Sequence, residues 1–144
     1  MPPPARTPIG LALARTARTA SRAFDEALAT AGGSLPVWLI LLTLQTRQLA
    51  NQRELAEAVG IRGATLTHHL NAMEAGGLVA RRRDPANRRV QHVELTPAGE
   101  ALFRQLAGAA LAFDQRLRDG LDDRDLDVLE GLLSRLHANI ADGR

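Results

Sequence analysis

The sequence predicts a mainly α-helical chain with a small β-wing: a winged helix-turn-helix set between N- and C-terminal dimerisation helices. Three observations carry this expectation. Two short amphipathic stretches, from Asn51 to Gly60 and from about Ala64 to Ala75, are separated by a tight turn at Ile61-Arg62. Two short runs containing β-branched residues, Leu78 to Arg83 and Val90 to Leu95, flank the turn sequence Asp84-Pro85-Ala86-Asn87. Three longer stretches, one before this module and two after it, repeat apolar residues at helical spacing.

Met1 to Pro8 is Pro-rich and reads as an arm. From Ile9 to about Ala31, a stripe of Ile9, Leu13, Ala17, Ala20, Phe24, Leu28 and Ala31 predicts a helix. Arg15, Arg18 and Arg22 share another face of it. Solvation accounts for all three, and the sharper alternative is that Arg15 grips a ligand carboxylate. Gly32-Gly33 breaks the helix, and Ser34-Leu35-Pro36 starts another, with Ser as cap and Pro in the first turn. Val37 to Leu44 is apolar nearly all round, so this helix is expected to be central and buried. Trp38 at its start is a core anchor or a pocket wall. These elements make an N-terminal segment over residues 9–46.

The module over residues 47–95 opens with a short strand at Gln48 to Ala50, beside the wing. Asn51 and Glu54 form a capping box, Leu55, Ala58 and Val59 share a face, and Gly60 ends the helix. In the next helix Leu66, Leu70 and Met73 form the buried stripe. Ala64, His68, Asn71, Ala72 and Ala75, with Thr65 beside them, fall opposite. Small, hydroxylic and imidazole groups let a helix sit deep in a major groove and reach base edges; an ordinary solvent face reads equally well from spacing alone. Gly76-Gly77 then stops the helix and the hairpin follows. Arg81, Arg82, Arg83, Arg88 and Arg89 lie within nine residues that hold one acid, Asp84, a local charge of +5 − 1 = +4. Like charge concentrated on a hairpin gives a fold little, whereas a polyanion gains by counterion release.

Residues 96–144 supply the C-terminal helices. Thr96-Pro97 caps one whose stripe runs through Leu102, Leu106, Ala109/Ala110, Phe113, Leu117 and Leu121, and Asp122 caps the last, with Leu126, Leu129, Leu133, Leu136 and Ile140 in line. Together with the first helix they carry more apolar surface than a small winged module covers, which points to an intertwined dimer.

Composition limits the alternatives. The length suits one domain, or a small domain with an extension. All 18 basic residues are arginine, and the net charge is +2. That charge is uneven: +2 over residues 1–46 (four Arg, two acids), +3 over 47–95 (eight Arg, five acids) and −3 over 96–144 (six Arg, nine acids). Basic charge thus gathers where a nucleic acid would lie. Cysteine is absent, which excludes thiol sensing, disulfides and Cys-ligated metal. The apolar run of Leu35 to Leu44 is too short for a membrane span and the N-terminus lacks a signal-peptide pattern, so a cytoplasmic protein with no membrane partner is expected.

In the segment Gly77-Leu78-Val79, with the basic residues that follow, Asp84-Pro85, Arg88-Arg89 and Leu95-Thr96-Pro97-Ala98-Gly99, the chain resembles the MarR family of bacterial transcription regulators, over about Ile9 to Ile140. The family's wing motif is Asp-x-Arg, five residues, then Leu-Thr. Here the spacing is kept as Asn87-x-Arg89 and Leu95-Thr96, with Asn in the first position. The resemblance implies that Arg89 enters a minor groove, that Asn87 accepts a hydrogen bond from it without charge, and that His68 is the main base contact. It also implies a homodimer that represses transcription and is released by a small aromatic or phenolic ligand held between the dimer helices and the winged helix, for which Arg15 and Trp38 are the candidate residues.

The leading expectation is therefore a sequence-specific, double-stranded-DNA-binding regulator. Arg62, Thr65, Thr67, His68 and His69 belong to its recognition helix, with His69 toward the flank; Arg81, Arg82, Arg83, Arg88 and Arg89 belong to its wing. The alternative is a ligand-independent dimeric DNA-binding or adaptor protein. A metal sensor is disfavoured, because neighbouring His68 and His69 point about 100° apart on a helix and chelate poorly. No metal or other cofactor is expected. An enzyme is disfavoured by the lack of a Ser/His/Asp motif, a phosphate-cradling Gly loop or paired carboxylates in a cleft.

Overall fold

The computed structural model describes residues 1, 5–47 and 50–141. The expected arm and the expected strand at Gln48 to Ala50 lie partly outside these residues. The chain runs α1 (Ile9–Thr30), α2 (Leu35–Thr46), β1 (Ala50–Asn51), α3 (Gln52–Val59), α4 (Gly63–Ala75), β2 (Val79–Arg83), β3 (Gln91–Leu95), α5 (Pro97–Leu117) and α6 (Asp123–Ala141). It is a mainly α winged helix-turn-helix. Its contacts divide it into two compact units, Met1–Ala110 and Leu111–Arg144.

The boundaries follow local chemistry. Ser34 Oγ accepts the Val37 N–H at the start of α2 (3.4 Å). Asn51 Oδ1 accepts the Glu54 N–H at the start of α3 (2.8 Å), and Asn51 Nδ2 donates to Glu54 Oε1 (2.7 Å), so the capping box closes through the amide nitrogen. Gly60 ends α3 in the left-handed conformation at φ 76°, a region that disfavours any side chain. Asp122 and Asp125 cap each other's backbone N–H at the start of α6 (2.8 and 3.1 Å).

The sheet has the order β1-β3-β2 and is antiparallel throughout. The two-residue β1 pairs Ala50 with Val93 and Asn51 with His92, and β2 pairs Val79 with Leu95, Arg81 with Val93 and Arg83 with Gln91.

The core is one cluster: Leu28 of α1, Ile40, Leu41 and Leu44 of α2, Leu55 of α3, Leu66, Leu70 and Met73 of α4, Val79, Val93, and Leu106 of α5. Each such side chain, fully buried, contributes about 1.5–3 kcal/mol. α2 is central but not enclosed, since Leu42 stays 37% exposed.

At the junction of wing and α5, Thr96 Oγ1 donates to the Gly77 carbonyl (2.6 Å) and accepts the Gly99 N–H (3.1 Å), while Thr96 N–H donates to the Leu78 carbonyl (3.2 Å). Gly99 is buried, and a Cβ there would collide with the Leu78 carbonyl oxygen. The terminal helices differ from this core. α6 has no buried residue and α1 has only Leu28. Ile9 is 61% exposed, and Val128 and Leu132 of α6 are 55% and 57% exposed.

Candidate nucleic-acid interface

α4 is held by its apolar stripe. With Leu66, Leu70 and Met73 buried, Ala64, Thr65, His68, Asn71 and Ala72 are left at the surface. The exposed face is therefore built of small side chains, a hydroxyl, an amide and an imidazole, with no long chain to hold a groove at a distance. His68 is exposed and His69 half-buried, with ring centroids 5.9 Å apart. Arg62, the N-cap residue of α4, is exposed and has no ion pair among the described residues. Thr67 is engaged within the module. Its hydroxyl donates to the Gly63 carbonyl (2.9 Å) and accepts from Gln52 Nε2 (3.4 Å), so it ties α4 to α3 rather than standing on the open face.

β2 sorts its three arginines by the two-residue period of a strand. Val79 is buried, so Arg81 shares its face and turns toward α4. Arg81 Nη2 donates to Asn71 Oδ1 (2.7 Å) and to Glu74 Oε1 (3.0 Å), and the Arg81 N–H donates to Glu74 Oε2 (3.2 Å). The Arg81 side chain is 15% exposed. Arg81, expected among the phosphate holders, clamps the wing to the C-terminal end of α4. Its guanidinium, through the side-chain hydrogen bond first, holds the Glu74 carboxyl below the ordinary value of 4.5. Arg82 lies on the opposite face and meets Glu94, its diagonal neighbour across the strands (3.4 Å).

Beyond the strands the backbone closes a turn. The Val90 N–H donates to the Asn87 carbonyl and the Asp84 N–H to the Val90 carbonyl, each at 2.9 Å, placing Arg88 and Arg89 at the tip. Asp84 shapes the approach: Oδ1 accepts the Ala86 N–H (2.7 Å) and Oδ2 lies 2.9 Å from His92 Nε2. An ionised carboxylate only accepts, so Nε2 carries the proton. The His92 hydrogen bond, then that from Ala86, holds the Asp84 carboxyl below its ordinary 3.8. The remaining cations of the wing, Arg83, Arg88 and Arg89, have no acidic partner among the described residues. Asn87 Oδ1 accepts the backbone N–H of Arg89 (3.2 Å), not its guanidinium. The turn competes for that oxygen and wins by proximity.

The two residues expected to hold a ligand are not brought together. Trp38 packs edge-on against Phe24, with centroids 5.8 Å apart. Arg15 stands nine residues before Phe24 on α1, half a turn around the helix and roughly 13 Å along its axis. Arg15 is exposed. Trp38 Nε1 is buried with no acceptor among the described residues.

Sequence reasoning missed Asn71 and Glu74 as partners of the wing, and the tie from Gln52 to Thr67. The first was marked in the sequence by Arg81 standing two residues after the apolar Val79.

Comparison with known proteins gives a consistent picture. Residues 34–90 match the sequence model of the MarR family. Among solved structures, the chain is similar to a transcriptional repressor, CouR, bound to a 23-mer DNA duplex, with 28% identity, a TM-score of 0.79, and coverage of 90% of this chain and 92% of that one. It is also similar to a probable transcriptional regulator from Pseudomonas aeruginosa, with 27% identity, a TM-score of 0.75, and coverage of 90% and 96%. A Bordetella bronchiseptica protein, BpsR, whose DNA binding is regulated by 6-hydroxynicotinic acid, shares the fold at 24% identity and a TM-score of 0.75, with coverage of 89% and 97%.

Proposed function

The chain carries a MarR-family winged helix, and from that premise we propose that it is a transcriptional regulator, a repressor, that binds a pseudo-palindromic operator as a homodimer. One observation carries the reading: the small polar face of α4 and a wing whose tip cations lack acidic partners among the described residues are joined by the Arg81–Glu74–Asn71 clamp. α4 enters a major groove, where Thr65 and His68 meet base edges and His69 and Arg62 lie toward the phosphates. Arg89 enters the neighbouring minor groove, and Arg82, Arg83 and Arg88 lie along the backbone. In the dimer the two recognition helices lie about 34 Å apart, one helical turn of DNA. The exposed stripes of α1 and α6 are the surface that the second copy covers.

The effector in this reading is a small aromatic or phenolic acid beside α2. Trp38 Nε1, a buried donor without an acceptor, supports a ligand that brings an oxygen to it. Arg15 contributes only from outside the Phe24–Trp38 contact, from the second copy or from a ligand long enough to reach it.

The test is a titration of the purified protein against duplexes from its own upstream region, beside a scrambled duplex, at several salt concentrations. The expected result is tight binding to one fragment, a steep salt slope and one dimer per site. Absence of binding at low salt would sink the proposal and favour an adaptor module.

A further inference from the structure

The geometry points to a phosphodiester seat in the cleft between the start of α3 and the wing, with Arg53 as a backbone contact that neither the recognition helix nor the wing motif identifies. This rests on the DNA-binding reading above. The cleft measures about 620 Å³ and is lined by Asn51, Gln52 and Arg53 at the start of α3 and by Arg83, Arg88, Arg89, Val90 and Gln91 of the wing. None of its lining residues is acidic. Four guanidinium groups around one hollow repel one another, and an anion relieves that repulsion.

Arg53 has no other evident task. It stands in the first turn of α3, where the helix dipole opposes a cation. Its ion pair is Glu57 at 3.6 Å, with the two side chains 90% and 72% exposed, so water screens it. The position also selects the anion. The cleft lies between the wing tip and Gln52, which reaches Thr67 of α4. If α4 and the wing occupy adjacent grooves, the DNA strand that separates those grooves crosses this interval. Guanidinium groups grip phosphate oxygens in pairs, and such contacts fix register without reading sequence.

The experiment uses the full chain, with Arg53→Ala and Arg53→Lys beside the wild type, and the operator duplex. Arg53→Ala is expected to make the plot of log affinity against log salt shallower by about 0.9 per lost contact, or about 1.8 for a dimer. A fourfold rise in salt then weakens the variant about twelvefold less than the wild type. Arg53→Lys keeps the slope. The preference for operator over scrambled duplex does not change. An uncharged methylphosphonate, walked along the strand, weakens the wild type at one position where Arg53→Ala is indifferent. The inference is overturned if Arg53→Ala keeps the steep wild-type slope, or if every methylphosphonate affects both proteins alike. A wild type with no salt-dependent binding overturns the DNA-binding reading itself, and this inference with it.

Discussion

Two glycines of α5 should respond to the same substitution in opposite directions. Alanine at a helical position is ordinarily favoured over glycine by about 0.5–1 kcal/mol, because the unfolded chain loses less freedom. Gly108 is exposed, and a Cβ there meets nothing within 4 Å, so Gly108→Ala should take that gain whole. At Gly99 the added carbon collides with the Leu78 carbonyl oxygen, a backbone atom that cannot rotate away. That carbonyl also accepts the Thr96 N–H, so moving it strains the join between wing and α5. Overpacking of this kind costs about 1–3 kcal/mol, and against backbone the upper part of that range applies, leaving a net loss of about 2 kcal/mol. For a chain of this size the melting temperature falls by about 4–8 °C. Thermal melts of both variants and the wild type, at one fixed protein concentration, are the assay. A Gly99→Ala protein that melts at or above the wild type would refute the close approach of α5 to the start of the wing.

Three other outcomes are expected. His68→Ala should reduce the preference for operator over a base-substituted operator by about tenfold, as loss of one good base contact does, while the salt slope is kept; an unchanged preference removes His68 from the base readers. Asp84 has a depressed carboxyl pKa, so its bond to His92 contributes in full above the ordinary value of 3.8 and is lost as pH falls through the lower folded value. A carboxyl NMR titration of Asp84 should therefore show a midpoint below 3.8, and a midpoint at or above it contradicts the pairing. If the proposed homodimer forms through α6, Leu132→Arg, at a position 57% exposed there, should leave the single chain folded but shift sedimentation from dimer to monomer, with loss of operator binding; an unchanged dimer places the interface elsewhere.

The helix boundaries were legible because capping chemistry is local. Asn51, Gly60, Thr96-Pro97 and Asp122 each announce an end within a few residues of themselves. The wing was legible from its turn residues and basic run. What the sequence concealed was which cations already had partners. Glu74 and Arg81 stand on either side of the reversal at Gly76-Gly77, and only the angle of that reversal brings them to 3.0 Å. Thr67 adjoins buried Leu66, and helical periodicity does not say which flank of a buried stripe meets a neighbouring helix. Asn87 shows a different limit. A motif names a side chain's usual partner, but here the backbone N–H two residues away takes the oxygen. Arg53 went unremarked because the other arginines of the cleft are about thirty or more residues away in the chain.

The smallest element of the sheet has a mechanical consequence. β1 is two residues long, and its second residue, Asn51, both pairs with His92 of the central strand and caps α3. Strand and helix therefore share a pivot with no slack between them. The Arg81 clamp locks the other side of the wing to α4 in the same way. The wing is thus tied to α3 on one side and to α4 on the other. In the proposed regulator, a signal that changes the reach of this module along DNA would have to move wing, α3 and α4 together. Position 51 should accordingly tolerate only side chains that can both lie extended and cap, such as Asp, Ser or Thr.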